Sequence, residues 1–350
     1  MMKYTIKYLF KDCFNPNFIS NKFTYFTEID NIYYLCYNDF DFSNLQKLNN
    51  DSNQCYGFII DSIFCTQDPT KSINILDIEK GEKYQVKGDY LFLCKDDRFI
   101  YLLDESKNTC NRLNPFTKEI SMLFKVSDEA FLRYKEFVVP NLGIGYSKLN
   151  EIKLLNIKTG DLLWCYNIEA YFNAPSGVYQ GRVFVVGDRL VFFAHTKDWK
   201  KGATFVLDAQ TGEVLNNPAQ TIFGGKLFLF DGYIWQKKDK GFAKMDPNTF
   251  EVTHYDLSQE LPTEIIDNKT MAYHDGVIAV SAKPQKGSIR SLVLLFDTKT
   301  EQIIWRKEIL HDENKASTDA NRRQIEEIQM NEKYIAVSTS GYSLYVFEKE

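Results

Sequence analysis

The chain has 350 residues, with 42 Lys and Arg against 47 Asp and Glu and a formal charge of −5. That balance excludes a general DNA or RNA binder, which would carry a basic surplus, and no apolar stretch reaches the length that crosses a bilayer as a helix. Hydrophobic residues make up 44% and aromatics 15%, with 27 Phe and 21 Tyr, which is ample core material of the kind that packs in sheets.

Tyr4 to Phe10 (YTIKYLF) reads as a strand at the start of the chain. Lys3, Lys7 and Lys11 interrupt any apolar h-region there, so a secretory signal is not expected. Phe23 to Tyr37 reads as two strands around the turn Asp30-Asn31, without a clear anchor residue. From Gln54 the pattern becomes regular: Tyr56 to Thr66, Ile73 to Ile78 and Glu82 to Val86, then Tyr90 to Leu93, Phe99 to Asp104 and Thr109 to Leu113. Gly143-Ile144-Gly145 has no third glycine and no helix pattern after it, and reads as a turn. Leu154 to Tyr166 (LLNIKTGDLLWCY) is a hairpin, with Asn156 and Gly160 as its turn residues. The chain ends with Tyr334 to Thr339, the turn Ser340-Gly341, and Tyr342 to Phe347, after which no strand follows. Tyr4 to Phe10 is the available partner for that last run, and joining it there would remove an open sheet edge.

The hairpin recurs. Aligning on Asn156 brings in ILDIEKGEKYQV at Asp77, RLNPFTKEISML at Asn114, VLDAQTGEVLNN at Asp208, KMDPNTFEVTHY at Asp246 and LFDTKTEQIIWR at Asp297. Each copy has an apolar residue, an Asp or Asn, a turn of about four residues and a strand-like run. The mean spacing of the anchors is about 44 residues, a period that goes with several short strands per repeat, as in a propeller blade. Asn156 to Trp164 (NIKTGDLLW) resembles the repeat of quinoprotein-like and WD-repeat-like β-propellers; Asp208 to Leu215 matches it without the Trp, and Asp297 to Trp305 keeps the Trp but has Glu301 in place of the Gly. The resemblance covers roughly Ser72 to the C-terminus. It implies an all-β fold: a single domain over 1–350, built as a closed β-propeller of seven or eight four-stranded blades, with the N-terminal strand closing the last blade. Trp164 and Trp305, at equivalent repeat positions, are expected to pack between blades.

In a blade with strands A to D, the A–B and C–D turns lie at one end and the B–C and D–A connections at the other. The short turns Gly187-Asp188, Asp275-Gly276, Asn331-Glu332 and Lys158 to Gly160 are expected at the first end. The long segments Glu169–Gly177, His195–Gly202, Asp256–Lys269, Lys283–Ser288 and Leu310–Arg323 all fall at the second, and long loops on a rigid scaffold are where binding usually resides. The aromatic and Arg candidates for partner contact are Tyr171, Phe172, Trp199, Arg322 and Arg323. Glu264, Asp267, Asp312 and Glu313 are the acidic candidates, suited to a basic partner surface.

Motifs for chemistry are scarce. Four His show no metal-ligand spacing, and no nucleophile-elbow or phosphate-loop motif is present. The Cys number seven, without a Cys-x-x-Cys pair, and most lie in apolar strands, so they read as buried free thiols of a reducing compartment. Quinone-dependent dehydrogenases of the resembled repeat class are exported, bind Ca²⁺ and commonly carry a vicinal Cys-Cys disulfide, none of which has a counterpart here. No catalytic residue, metal or cofactor is expected. The expected function is a cytoplasmic, monomeric propeller that holds a specific protein partner in a 1:1 complex, with no direct nucleic-acid or membrane contact. In overall character the chain is similar to immunity proteins of bacterial contact-dependent toxin systems, which implies a basic nuclease toxin as partner. A scaffolding subunit of a larger complex is the alternative.

Overall fold

The computed structural model describes the backbone of residues 4–11, 13–19, 22–29, 32–39, 46–49, 57–60, 62–67, 70–77, 80–95, 98–125, 137–139, 142–145, 150–156, 161–218, 226–286, 289, 291–309, 324–341 and 343–350, with side chains from Ile60 onward at most of these positions. Among the described residues there are 31 strands and one short helix, α1 (Ile168–Phe172). Strand β1 (Tyr4–Lys11) comes first. The next strands form antiparallel sheets in chain order: β2 (Cys13–Ile19) to β3 (Lys22–Ile29), β4 (Ile32–Asp39) and β5 (Gln46–Asn49); then β6 (Gly57–Ile60), β7 (Ile63–Gln67), β8 (Ile73–Asp77) and β9 (Glu82–Val86). A third sheet is β10 (Tyr90–Lys95), β11 (Ile100–Asp104), β12 (Thr109–Asn114) and β13 (Glu119–Lys125); a fourth is β14 (Phe137–Val139), β15 (Leu142–Gly145), β16 (Glu151–Asn156) and β17 (Leu162–Asn167). The fifth has three strands, β18 (Ser176–Val186), β19 (Arg189–Thr196) and β20 (Gly202–Asp208). The sixth is β21 (Leu227–Phe230), β22 (Tyr233–Lys238), β23 (Gly241–Met245) and β24 (Val252–Asp256), and the seventh β25 (Glu264–His274), β26 (Val277–Pro284), β27 (Leu292–Asp297) and β28 (Gln302–Glu308). The eighth contains β29 (Ile325–Met330), β30 (Tyr334–Thr339) and β31 (Ser343–Lys349), and its outer strand is β1. The β1–β31 ladder runs from Tyr4↔Lys349 to Lys11↔Ser343, so the N-terminal strand completes the last sheet.

Contacts divide the chain into two compact units: Met1–Cys55 with Lys237–Ala243 and His254–Glu350, and Tyr56–Gln236 with Lys244–Thr253. In the first unit β2 lies against β29, β30 and β31, and β25 lies against β29. Its core joins Val293 and Leu295 of β27 to Ile335, Val337 and Phe347. The Trp305 ring meets Phe347 edge-on at 5.4 Å. In the second unit Ile152 and Leu154 of β16 pack with Phe192 and Phe205 of the β18–β20 sheet. The Trp164 indole N–H donates to the Ala209 carbonyl oxygen at 3.1 Å. Each of the two Trp therefore sits on the fourth strand of one sheet and reaches the third strand, or its end, in the next.

Strand character follows burial. Every residue of β11 (IYLLD) and of β30 (YIAVST) is buried, and both are apolar runs of the kind a strand needs when both its faces are covered. The fourth strands β9 and β17 alternate or are largely exposed.

The repeat anchors end the third strand of six sheets: Asp77, Asn114, Asn156, Asp208 and Asp297 are the last residues of their strands, and Asp246 follows β23 directly. Their side chains build the turns. Asp208 Oδ1 accepts from the backbone N–H of Gln210 (2.9 Å) and Thr211 (2.8 Å), Asp297 Oδ1 from Lys299 (2.8 Å), and Asp246 Oδ1 from Asn248 (2.7 Å). Four residues past the anchor, the backbone N–H of Gly81, Lys118, Gly212, Phe250 and Glu301 closes onto the anchor's own carbonyl at 2.8–2.9 Å. All five residues have left-handed backbone, with φ between 58° and 75°. Glycine takes that conformation without cost, whereas another residue is strained by about 1–2 kcal/mol. The Asn156–Gly160 turn itself falls partly outside the described residues.

Several expectations are corrected. Cys13–Ile19 is a strand that Pro16 concealed; the ladder is irregular between Phe14 and Asn17, where Pro16 is accommodated. Gly143 to Gly145 belongs to β15, not to a turn, and pairs with β14 and β16. Asp39 ends β4 at the place of an anchor, so the first sheet also follows the repeat, 38 residues before Asp77. Among the described residues the β18–β20 sheet has no fourth strand: Val214 makes only a bridge to Leu207, and the Asn216 side chain instead accepts from Val206 N–H and donates to the Thr204 carbonyl, both at 2.8 Å.

Two outcomes are expected. Deleting residues 1–11 strips the outer strand from β31 and should lower the melting temperature clearly; an unchanged melting temperature would show that this ladder adds nothing. Equivalent turn positions should respond with opposite signs: Glu301→Gly relieves left-handed strain and gains up to about 1 kcal/mol. Gly212→Ala should lose about 1–3 kcal/mol, because an added Cβ also meets the Trp164 ring at 2.7 Å. Chemical denaturation of the two variants compares them.

Candidate functional site

The second and third strands of the three-stranded sheet are joined by residues 197–201, a loop held by its own polar side chains. Thr196 N–H donates to the Lys201 carbonyl (2.9 Å), and Trp199 N–H to the Thr196 carbonyl (2.9 Å). The Thr196 hydroxyl donates to Asp198 Oδ1 at 2.6 Å, and that same oxygen accepts from Lys200 N–H at 3.2 Å. These two bonds, the Thr196 hydroxyl first, hold the Asp198 carboxyl below its ordinary pKa. Lys197 N–H reaches the Pro175 carbonyl at 2.9 Å, tying the loop to the segment that follows α1.

The product of this folding is an exposed indole. Trp199 is 60% exposed, with φ 59° in the left-handed region. Its ring stacks on His195 at 3.7 Å and 18°, and Tyr179 meets it edge-on at 5.5 Å. The His195 Nδ1 lies 2.8 Å from the Thr196 carbonyl, an acceptor, so that nitrogen carries a proton and donates to it. His195 and Tyr179 were not among the sequence candidates. The spacing of Thr196 and Asp198, which makes the loop's hydroxyl–carboxylate link, is the one legible signal that the loop folds back on its strand.

The other aromatic candidates divide. Tyr171, on α1, is 41% exposed and packs edge-on against Phe172 (5.0 Å) and Phe205 (4.9 Å). Phe172 is corrected from surface anchor to core: it is 6% exposed and belongs to the cluster with Phe192 and Phe205. The physical reason is the helix, whose Asn167 cap accepts from Ala170 N–H at 3.1 Å and whose turn buries Ile168 and Phe172 together.

In the other unit, Glu264 and Asp267 are corrected from loop to strand. The connection after β24 ends at Thr263, and β25 starts at Glu264, pairing with Pro284. The ladder shifts between Ile266 and Met271, and this irregularity takes up the polar run Asp267-Asn268-Lys269 that hid the strand. Glu264 lies 3.9 Å from an Arg306 nitrogen and accepts from Thr263 N–H at 3.2 Å. Asp267 is buried, with Lys283 at 3.8 Å. Asp312, Glu313, Arg322 and Arg323 lie outside the described residues.

No family model matches the chain, and no curated protein matches it. Solved structures do. A computationally designed protein, Ika8, aligns over 97% of this chain and 96% of its own at 12% identity and a TM-score of 0.61. BamB from Moraxella catarrhalis aligns over 99% and 100% at 12% identity and a TM-score of 0.55. The β-propeller domain of Myceliophteria thermophila Cps50 (Swd1) aligns over 82% and 93% at 12% identity and a TM-score of 0.49. The fold is of the β-propeller kind.

Within this propeller fold, no three His, Cys, Asp or Glu side chains among the described residues are grouped as a metal site. Cys65 and Cys110 are buried free thiols, and Cys165 is an exposed one. One carboxylate stands out. Burial raises the pKa of Glu327, on β29, and the Gln329 amide donating to its Oε1 at 2.9 Å offsets only part of that. A carboxyl raised in the folded state contributes its stability fully below the ordinary Glu value of about 4.3 and loses it as pH rises through the folded value. Glu327→Gln should therefore melt with the parent at pH 4 and above it at pH 8; equal melting at pH 8 would show that the buried charge carries no penalty.

Proposed function

We propose that the chain is a non-catalytic propeller that binds a protein partner, each of its eight sheets serving as one blade of a closed ring. The observation that carries this is Trp199. A large aromatic ring left 60% exposed, in a strained backbone conformation and braced by two other rings, is organised before any partner arrives. Trp, Tyr and Arg dominate interface energetics, and an anchor already held in place loses little freedom on binding. Backbone strain at an exposed position is an observation that motivates a functional hypothesis. Tyr171, on the neighbouring helix, is the second anchor. The expected location is the cytoplasm, and the expected assembly is one copy with one partner.

A narrower form of the proposal makes the chain an immunity protein whose partner is a basic nuclease toxin. It draws support from the formal charge of −5 and from Asp312 and Glu313. It draws little from Glu264 and Asp267, whose charges already face Arg306 and Lys283. A scaffolding role in a larger complex uses the same anchor without toxin chemistry.

Placing a photo-crosslinking residue at position 199 in the full chain, in its native cells, should yield one dominant protein adduct. Trp199→Ala should then weaken that partner by about 2 kcal/mol or more. A tight partner that neither crosslinks at 199 nor responds to Trp199→Ala overturns the assigned surface. A partner without nuclease activity overturns the narrower form alone.

A further inference from the structure

The charge around Trp199 is opposite to that of the chain as a whole. Residues 195–202 (HTKDWKKG) hold three Lys and one Asp, a formal local charge of +2 when His is left out of the count, against −5 overall on the same count. Lys197, Lys200 and Lys201 are all exposed. The one carboxylate is engaged within the loop: Asp198 accepts from the Thr196 hydroxyl and from Lys200 N–H, and its second oxygen lies 3.5 Å from the Lys200 ammonium. Among the described residues, the Lys197 and Lys201 ammonium groups have no carboxylate within ion-pair distance. Their backbones, by contrast, are fixed: Lys197 N–H to Pro175, and Lys201 N–H to the Thr196 hydroxyl at 3.2 Å.

Two general facts decide what such a surface prefers. At physiological salt, charges are screened over about 8 Å, so a bound group at the loop responds to the local +2 rather than to the distant acidic majority. An exposed ring flanked by cations also offers apolar contact area and charge together, the pairing met by a carboxylate-bearing segment with an apolar side chain. From these we infer that the Trp199 loop docks an acidic segment of the protein partner, seating an aliphatic or aromatic side chain on the Trp199 ring and carboxylates at Lys197 and Lys201. The inference rests on the protein-binding proposal and adds the chemistry of the partner at this loop, which is acidic rather than basic. A single-stranded nucleic acid is disfavoured: such ligands use a row of aromatic platforms along an extended basic groove, whereas here one exposed ring and three Lys stand on a chain of net negative charge.

The test uses the full chain, immobilised, against a displayed library of random dodecapeptides at low salt. Enriched peptides are then synthesised with a fluorescent label and titrated by anisotropy. Peptides rich in Asp and Glu beside Leu, Phe or Tyr are expected. Their affinity should fall more than tenfold with Trp199→Ala, and more than tenfold again in 0.5 M salt. A variant with Lys197→Glu, Lys200→Glu and Lys201→Glu should turn selection toward basic peptides, and Trp199→Phe, which keeps an aromatic ring, serves as a control for folding by its melting temperature. Neutral or basic peptides from the parent chain, no enrichment that depends on Trp199, or Trp199-dependent binding of a thymidine dodecamer in place of peptides would each overturn the inference. None of these results touches the crosslinking outcome at position 199, so failure of the acidic-segment inference and failure of the protein-binding proposal read differently.

Discussion

The middle strands β11, β19, β20, β26 and β30 are covered on both faces along most of their length, and much of the described packing follows from that requirement. A sheet of four strands of about six residues exposes two apolar faces and cannot bury either alone; it must lie between neighbours. In the second unit, one face of the β18–β20 sheet presents Leu190, Phe192, Ala194, Ala203, Phe205 and Leu207 to the preceding sheet and α1, while the alternate residues Val191 and Val206 are equally buried on the other side. In the first unit β25 and β2 take positions on β29. The Trp on a fourth strand links neighbouring sheets: Trp164 hydrogen-bonds to Ala209, and Trp305 contacts Phe347. A fourth strand has one wet face, which is why its residues alternate, and a large side chain on its dry face is the natural link to the next sheet.

Strands this short leave register weakly specified by length, and a slip of one residue would exchange buried and solvent faces. The turns supply what length does not. An Asp or Asn at the end of the third strand accepts the N–H groups of its own turn, and a left-handed residue four positions on closes the loop back onto the strand. Conservation of geometry without conservation of residue is visible here: Gly81 and Gly212 take the left-handed position freely, while Lys118, Phe250 and Glu301 take it under strain. Part of that strain is offset by contacts. Lys118 stands over the Tyr84 ring at 4.0 Å, and the Arg189 guanidinium lies 5.7 Å from the Phe250 ring centroid. At the eighth sheet the outer strand is β1, supplied from the N-terminal part of the sequence.

These same devices explain what could be read from the residues alone. Six anchors were legible because an Asx residue and an apolar run recur along the chain; the one at Asp39 was missed because six residues separate it from the next strand, where the other repeats with a fourth strand have four or five. β2 was missed because Pro16 stands in its middle, where a strand would lose a ladder N–H. Glu264 and Asp267 were misplaced because β25 absorbs a polar run by a local irregularity, and irregularities are set by the partner strand rather than by the residues they contain. Phe172 was misread for a related reason. Five residues of helix rotate it inward beside Ile168, and nothing local distinguishes that turn from a loop. Trp199 was legible as a candidate because a Trp in a polar segment is unusual, but its stacking on His195 was not, since it depends on a left-handed backbone at a bulky residue.

The proposed contact surface lies in the least regular part of the structure, and the physics of the repeat says why. The turns at one end of each sheet are committed to register, so their side chains are already spent on their own backbone. The connections at the other end have no such duty once the strands are paired. The loop after β19 shows the difference: Thr196 and Asp198 do the holding, and Trp199, Lys197 and Lys201 are left over. A side chain that neither closes a turn nor fills the core, yet is kept in one place by those that do, is available for something outside the chain. Two acidic residues of the other unit fail that criterion. Glu260 accepts from Ile303 N–H at 2.9 Å, and Asp256 from Ser258 N–H at 2.9 Å, so their carboxylates serve the fold. A formal charge of −5 therefore describes the chain as a whole, whereas the proposed docking at Trp199 rests on the local residues that the structure leaves unspent.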